Sequence, residues 1–237
     1  MRKNFLKGKK LIIFDMDGTL IDSLGVWNEI DSKVVDRIRG DGLTTKDNMQ
    51  EIRNDALRIF ATSPNPYVEY CNFLTKKYKS TLSNEEVYAL RYEIADNLIA
   101  NKIEYKPFAP EFIKKLKREG YLLAIGSSAQ RKNINIYRTR NKNVMDKAKL
   151  DDYFDLIIAR DDCVEIKPHP EVFIKILSTL GVEAKDALVF EDSLVGVEAS
   201  RRAGIECCVV YDKYSDHERE EINAIADHII DSFEELL

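Results

Sequence analysis

Five short apolar runs punctuate the chain: Leu11–Asp15, Leu122–Ile125, Leu156–Ala159, Leu188–Phe190 and Cys207–Tyr211. Most are rich in Ile, Val, Leu or Phe and do not alternate with polar residues. Strands buried on both faces, as in a parallel sheet, read this way. Helical patterns lie between the later runs. One spans Glu111 to Arg118 and stops at Gly120, one spans Pro170 to Leu180 and stops at Gly181, and one spans Ser193 to Ala203 and stops at Gly204. Pro at a helix start and Gly just past its end are the expected punctuation. Strands alternating with helices predict a doubly wound α/β domain with a parallel sheet.

The long gap between the first and second runs, roughly residues 22–105, breaks this rhythm and reads as helices alone. Val26, Ile30, Val34 and Ile38 share one face, as do Met49, Ile52, Ala56 and Ile59, and, after Pro66, Tyr67, Cys71, Leu74 and Tyr78. Val87, Leu90, Ile94 and Leu98 follow Ser83 and Glu86, which have capping-box spacing. Core packing explains each stripe, and together they predict a small helical bundle inserted after the first strand. Pro107 and Pro110 mark the return to the α/β domain. A second, smaller insertion, Arg131 to Leu150, is polar and basic, and reads as a solvated helix pair or, alternatively, a substrate-facing patch.

Composition narrows the function classes. The length, 237 residues, suits one large domain carrying a smaller one. With a net charge of −5 and no dominant basic cluster, nucleic acid is not an expected partner. Met1 to Lys10 is polar and basic and lacks the apolar stretch of a secretory signal. No apolar run has the length to span a bilayer, so no membrane role and a cytoplasmic location are expected. Cys71, Cys163, Cys207 and Cys208 show no CxxC spacing and read as buried, reduced side chains.

In an open α/β sheet, ligands bind beyond the carboxyl ends of the strands. Asp15, Met16, Asp17, Gly18 and Thr19 follow the first run, and Ser127 and Ser128 the second. Lys167-Pro168 comes a short loop after the third, and Glu191-Asp192-Ser193 follows the fourth. Four carboxylates, a hydroxyl and a lysine thus converge on one crevice. A carboxylate attacking a phosphate monoester must overcome repulsion between anions, and this set supplies the means. Asp15, the backbone carbonyl of Asp17, and Asp192 can hold Mg²⁺, with Glu191 beside them. Lys167 adds positive charge. Ser127 with Ser128, and the backbone N–H groups of Met16 and Asp17, can donate to phosphoryl oxygens. Asp15 is then the candidate nucleophile, and Asp17, two residues on, the candidate acid and base. Taken singly, each has a plain reading: a surface Asp-x-Asp turn, a helix-capping serine, an exposed lysine, a loop entering a helix.

Together these segments resemble the haloacid dehalogenase superfamily. Phe-Asp-Met-Asp-Gly-Thr-Leu at 14–20 looks like its first motif, Ser127 its second, Lys167-Pro168 its third and Glu191-Asp192-Ser193 its fourth. Val189 to Gly204 extends the likeness. The resemblance implies a sheet of order 3-2-1-4-5, a Mg²⁺ cofactor, and a helical cap that opens and closes over substrate. On that reading 1–21 and 106–237 form a Rossmann-like catalytic core and 22–105 the cap. The branch resembled is that of phosphoglycolate phosphatases and β-phosphoglucomutases. Asp17 favours a phosphate ester substrate, since the dehalogenases of the superfamily lack it. The expected activity is phosphatase action on a small phosphorylated metabolite, by a monomer. The alternatives are a sugar-phosphate mutase and a catalytically silent binding protein. The mutases carry a Gly-x-x-Arg segment in the cap, which is missing between residues 40 and 60. Arg53 and Arg58 are possible substitutes, although both read as solvated. Asp22, Ser23 and Trp27 sit where the leaving group could be touched, with Trp27 expected to pack under the cap. His169 reads as an exposed loop residue, and His217 and His228 carry no assignment.

Overall fold

The computed structural model describes residues 4–60 and 62–237, so Met1 to Lys3 of the basic N-terminal segment lie outside the described residues. The apolar runs form strands β1 (Leu11–Phe14), β2 (Leu122–Gly126), β3 (Leu156–Ile158), β4 (Ala187–Glu191) and β5 (Glu206–Val210). A short strand, β6 (His228–Ile230), extends the sheet, giving the order β3-β2-β1-β4-β5-β6 with every neighbouring pair parallel. The expected order is therefore present with one strand more at its edge. β1 lies at the centre, and its residues are fully buried.

Because side chains alternate across a strand, the sheet packs two different layers. Leu11, Ile13, Val189, Cys207 and Val209 join a core with Val172, Phe173 and Ile176 of helix α9 (Glu171–Leu180) and Val197 and Ala199 of α10 (Leu194–Arg202). On the other face Phe14 stacks on Phe190 at 5.1 Å between ring centres. Both meet Phe112 of α5 (Ala109–Arg118) and Phe233. The segment after β2 forms α6 (Arg131–Thr139), α7 (Lys142–Ala148) and α8 (Leu150–Tyr153). It is not simply a solvated pair, because Ile134, Ile136, Tyr137, Val144 and Leu150 are buried. Its basic residues point outward into ion pairs, such as Arg138 with Asp151 and Lys147 with Glu104.

Ser23–Lys102 forms a compact unit of its own, and the chain on either side forms the other. Departure and return are adjacent: Ile21 and Tyr105 form an antiparallel bridge, and the Lys106 N–H donates to the Leu20 carbonyl at 2.8 Å. The helical unit holds α1 (Leu24–Arg39), α2 (Met49–Ile59), α3 (Pro66–Lys77) and α4 (Asn84–Asn101). Ser83 and Glu86 form the expected capping box. The apolar core runs through Val34, Val35, Ile38, Met49, Ala56, Cys71 and Leu74.

Several side chains of this unit depart from the sequence expectation. Ile59 is 70% exposed. The fully buried face of α4 is Val87, Arg91, Ala95 and Ile99; of the expected stripe Val87 lies on it, whereas Leu90, Ile94 and Leu98 are half-buried. Arg53 is buried rather than solvated: its Nη1 donates to Asp31 at 2.6 Å, while Arg91 Nε donates to the other Asp31 oxygen at 2.7 Å. The Arg91 guanidinium also lies over Trp27, 4.8 Å from the ring centre, so Trp27 packs inside this unit. Arg58 is exposed.

The cysteines are free thiols; Cys71, Cys207 and Cys208 are buried, and Cys163 only half so. Among the described residues no helix is long and apolar enough to cross a membrane.

Candidate active site

Asp15 directly follows β1, and its N–H still donates to the Phe190 carbonyl of β4 at 2.9 Å, so the sheet itself fixes where the side chain starts. The chain then turns sharply. Leu20 and Ile21 both donate to the Met16 carbonyl, and Gly18, at φ 92°, donates to Ile21. Gly18 is required twice over. Its backbone lies in the left-handed region, and a Cβ there would stand 2.5 Å from an Asp192 oxygen. Met16 is fully buried. Asp17 is half-buried.

Lys167 is buried among acceptors. Its ammonium donates to Asp15 Oδ1 at 2.6 Å, Glu191 Oε1 at 2.6 Å and the Gly126 carbonyl at 2.9 Å. Those three bonds use all the protons an ammonium has. Lys167 therefore ties β1, β2 and β4 together at their carboxyl ends. The other Glu191 oxygen accepts from the Asp192 and Ser193 N–H groups and from Ser193 Oγ, at 3.0 to 3.3 Å. Asp192 accepts from Thr19 Oγ1 at 2.9 Å and from Ser215 Oγ at 3.3 Å. Ser127 is buried after β2, and its Oγ accepts from the Ala129 N–H at 3.0 Å. This turns the chain rather than capping α6, whose N-cap is Gln130. Ser128 is half-buried beside it, and His169 is exposed.

The structure thus gathers Asp15, Lys167, Glu191 and Asp192 in direct or near contact, with Asp17 and Ser127 on adjoining strand ends. Sequence reasoning missed several further members. Thr19 lies within the quoted first motif. Asp212 lies two residues past the end of β5, is buried, and pairs with Lys106 at 2.5 Å; the strand-end rule, carried to the fifth strand, identifies it. Ser215 lies in the short 3-10 helix beyond, Lys213–Glu218. Tyr137 of α6 is buried and its hydroxyl donates to Asp17 Oδ1 at 3.5 Å, a contact with no local sequence signal.

Electrostatics follow from this crowding. Burial pushes Asp15 up to about 8, with Lys167 pulling the other way and Glu191 adding to the rise. Burial also drives Asp192 well above its ordinary value, reinforced by Glu191, Asp15 and Asp212. Burial alone would lower Lys167, but the carboxylates of Asp15 and Glu191 outweigh it and hold the ammonium charged. Oxygens of Asp15, Glu191 and Asp192 lie within 4.8 Å of one another. When ionised, those three carboxylates face one ammonium, an excess of two negative charges that burial resists and a bound cation would relieve. An all-oxygen donor set with that excess fits a hard divalent cation.

Fold and site together define a doubly wound α/β protein with an acidic centre at the end of its first strand. The profile of the haloacid dehalogenase-like hydrolase family matches residues 12–210, and the chain belongs to that family. A phosphoglycolate phosphatase of Aquifex aeolicus is 30% identical over 197 residues, covering 82% of this chain and 81% of that one. A phosphorylated carbohydrates phosphatase of Thermotoga maritima is 26% identical over 195 residues, covering 82% of each. The crystal structure of CbbY from Rhodobacter sphaeroides, in complex with phosphate, superposes with a TM-score of 0.74 at 25% identity and covers 96% of both chains.

Proposed function

We propose that the protein is a Mg²⁺-dependent phosphatase that hydrolyses a small phosphorylated metabolite through a phosphorylated Asp15. The observation that carries this reading is the placement of Asp15 at the end of the central strand, its Oδ1 2.6 Å from a buried Lys167, within the acidic group described above. Phosphatase relatives from two organisms support it.

Asp15, the backbone carbonyl of Asp17, and Asp192 would hold the Mg²⁺, with Glu191 orienting Asp192 and Lys167 beside them. When bound, the ion supplies the positive charge that lets a carboxylate approach a phosphate. Asp15 attacks phosphorus through one carboxylate oxygen as the ester P–O bond breaks. Asp17 gives its proton to the departing alkoxide. Asp17 then takes a proton from the water that attacks phosphorus, the Asp15–phosphorus linkage breaks, and phosphate leaves. Lys167 neutralises charge on Asp15 and the transferring group. Ser127 and Ser128, with the Met16 and Asp17 N–H groups, donate to phosphoryl oxygens. The helical unit acts as the cap that selects the substrate, and the protein works as a cytoplasmic monomer.

The mutase reading draws no support from Arg53, whose guanidinium is buried and committed to Asp31, Asn28 and Gln50. A silent binding protein has no need of the complete acid, lysine and hydroxyl set. The test is phosphate release from a panel of sugar and short-chain phosphate esters, with and without Mg²⁺, with β-glucose 1-phosphate included. Release that requires Mg²⁺ supports the proposal. Isomerisation of the sugar phosphate supports the mutase, and binding without turnover across the panel supports the silent protein.

A further inference from the structure

The Tyr137 hydroxyl stands where packing alone does not require it. Tyr137 is 1% exposed, on the buried face of α6 with Asn133, Ile134 and Ile136. A phenylalanine would fill the same space without burying a hydroxyl, which is costly unless bonded. Among the described residues, the partner of that hydroxyl is Asp17 Oδ1 at 3.5 Å. This is a long hydrogen bond, of the kind that tightens when a reacting group engages the carboxyl.

The helix that carries Tyr137 is anchored at both ends. At its start Arg131 pairs with Asp162 and donates to the Ile157 carbonyl of β3 at 2.9 Å. Just past its end the buried Asn141 donates from its N–H to the Ile136 carbonyl at 2.8 Å. The Asn141 side chain accepts from the Val144 N–H and donates to the Ile103 carbonyl, both at 3.0 Å. The phenol is therefore presented to Asp17 from a fixed element, not from a mobile loop.

We infer that Tyr137 is a positioning residue for proton transfer: its O–H holds Asp17 Oδ1, so that Oδ2 carries the proton given to the leaving-group oxygen. This rests on the reading of Asp17 as acid and base. In the first step the proton passes from Oδ2 to the departing oxygen as the P–O bond breaks, and the hydrogen bond from Tyr137 stabilises the carboxylate left behind. In the second step the same bond keeps Oδ2 aimed at the attacking water, whose proton it accepts.

The dependence on leaving group separates this role from a structural one. 4-Nitrophenolate leaves without help from an acid, whereas phenolate needs more. Wild type, Tyr137→Phe, Asp17→Asn and the double variant are assayed on 4-nitrophenyl phosphate and phenyl phosphate, with thermal melting as a check on folding. Tyr137→Phe is expected to lower kcat/KM, which reports the first step alone, about tenfold on phenyl phosphate, to lower it much less on 4-nitrophenyl phosphate, and to add nothing to Asp17→Asn. Equal losses of kcat/KM on both esters, no loss on either, or effects that multiply with Asp17→Asn would overturn the inference. If Asp17→Asn shows leaving-group dependence and Tyr137→Phe does not, the inference alone fails. If Asp17→Asn shows none, or the wild type releases phosphate from neither ester, the reading of Asp17 fails and takes the inference with it.

Discussion

A Cβ on Gly196 would stand 1.9 Å from the carboxyl carbon of Glu191. The first turn of α10 is pressed against this carboxylate so closely that only glycine fits. The close approach seats Glu191 where it accepts from Lys167 and from the N–H and hydroxyl of Ser193. Gly196→Ala must displace Glu191 and, through it, Lys167. The expected result is a fall in kcat of at least about tenfold, with an overpacking cost of about 1–3 kcal/mol. Steady-state kinetics beside thermal melting check both, and unchanged kcat would mean that Glu191 has no need to be held there.

The raised acids predict how stability depends on pH. Asp15 titrates at 3.8 when unperturbed and near 8 in the fold, and Asp192 shifts in the same direction. Between those values the folded chain binds more protons than the unfolded one, so stability of the metal-free protein falls as pH rises from about 4 to about 8. A cation among the carboxylates opposes this. Melting temperatures with Mg²⁺ and with chelator should therefore diverge as pH increases, the gain from Mg²⁺ being larger at pH 8 than at pH 5. A gain that shrinks with rising pH would contradict the assignment.

Thr19 and Ser215 orient Asp192 through one oxygen each. Groups that orient a metal ligand typically matter by about 10- to 100-fold in metal affinity. Thr19→Val should raise the Mg²⁺ concentration needed for half-maximal activity by about tenfold, and Ser215→Ala, with its longer bond, by less. Mg²⁺ titration of activity measures both, and unaltered midpoints would remove Asp192 from the metal site.

The helical unit has its own vulnerable point. Asp31 is fully buried between Arg53 and Arg91. Asp31→Ala strands two buried cations, a loss typically worth about 3–5 kcal/mol. Urea unfolding should show a large loss, with a transition of the helical unit before that of the α/β unit. A loss below about 1 kcal/mol would show that water reaches the two guanidinium groups.

How much of this was legible from the chain alone depends on the physical signal each residue leaves. Strands β1, β2, β4 and β5 were readable because burial on both faces demands unbroken apolar runs; β3, a half-buried edge strand, was readable because its three residues are all apolar. β6 was not: it has three residues at the sheet edge, and Ile229 is 36% exposed, so nothing forces such a run. The four inserted helices were readable from periodicity and caps. The inner face of α4 was misplaced because Arg91 occupies it, and its partner Asp31 lies 60 residues earlier. No local pattern announces a buried arginine whose counter-ion comes from another helix. In the site, the strand-end rule located Asp15, Asp17, Ser127, Lys167, Glu191 and Asp192. It was not extended to Asp212, and it could not have reached Tyr137, which lies on the middle of a helix.

The central claim is that Asp15 carries the phosphoryl group, and rapid acid quench tests it most directly. Wild type and Asp15→Asn are mixed with 4-nitrophenyl phosphate and Mg²⁺ and quenched during turnover. The peptide containing residues 11–20 is then weighed by mass spectrometry. The account predicts one added phosphoryl group on that peptide in the wild type, located at Asp15, with no adduct and no phosphate release in the variant. Phosphate release that continues in Asp15→Asn, or an adduct on another residue, would contradict it.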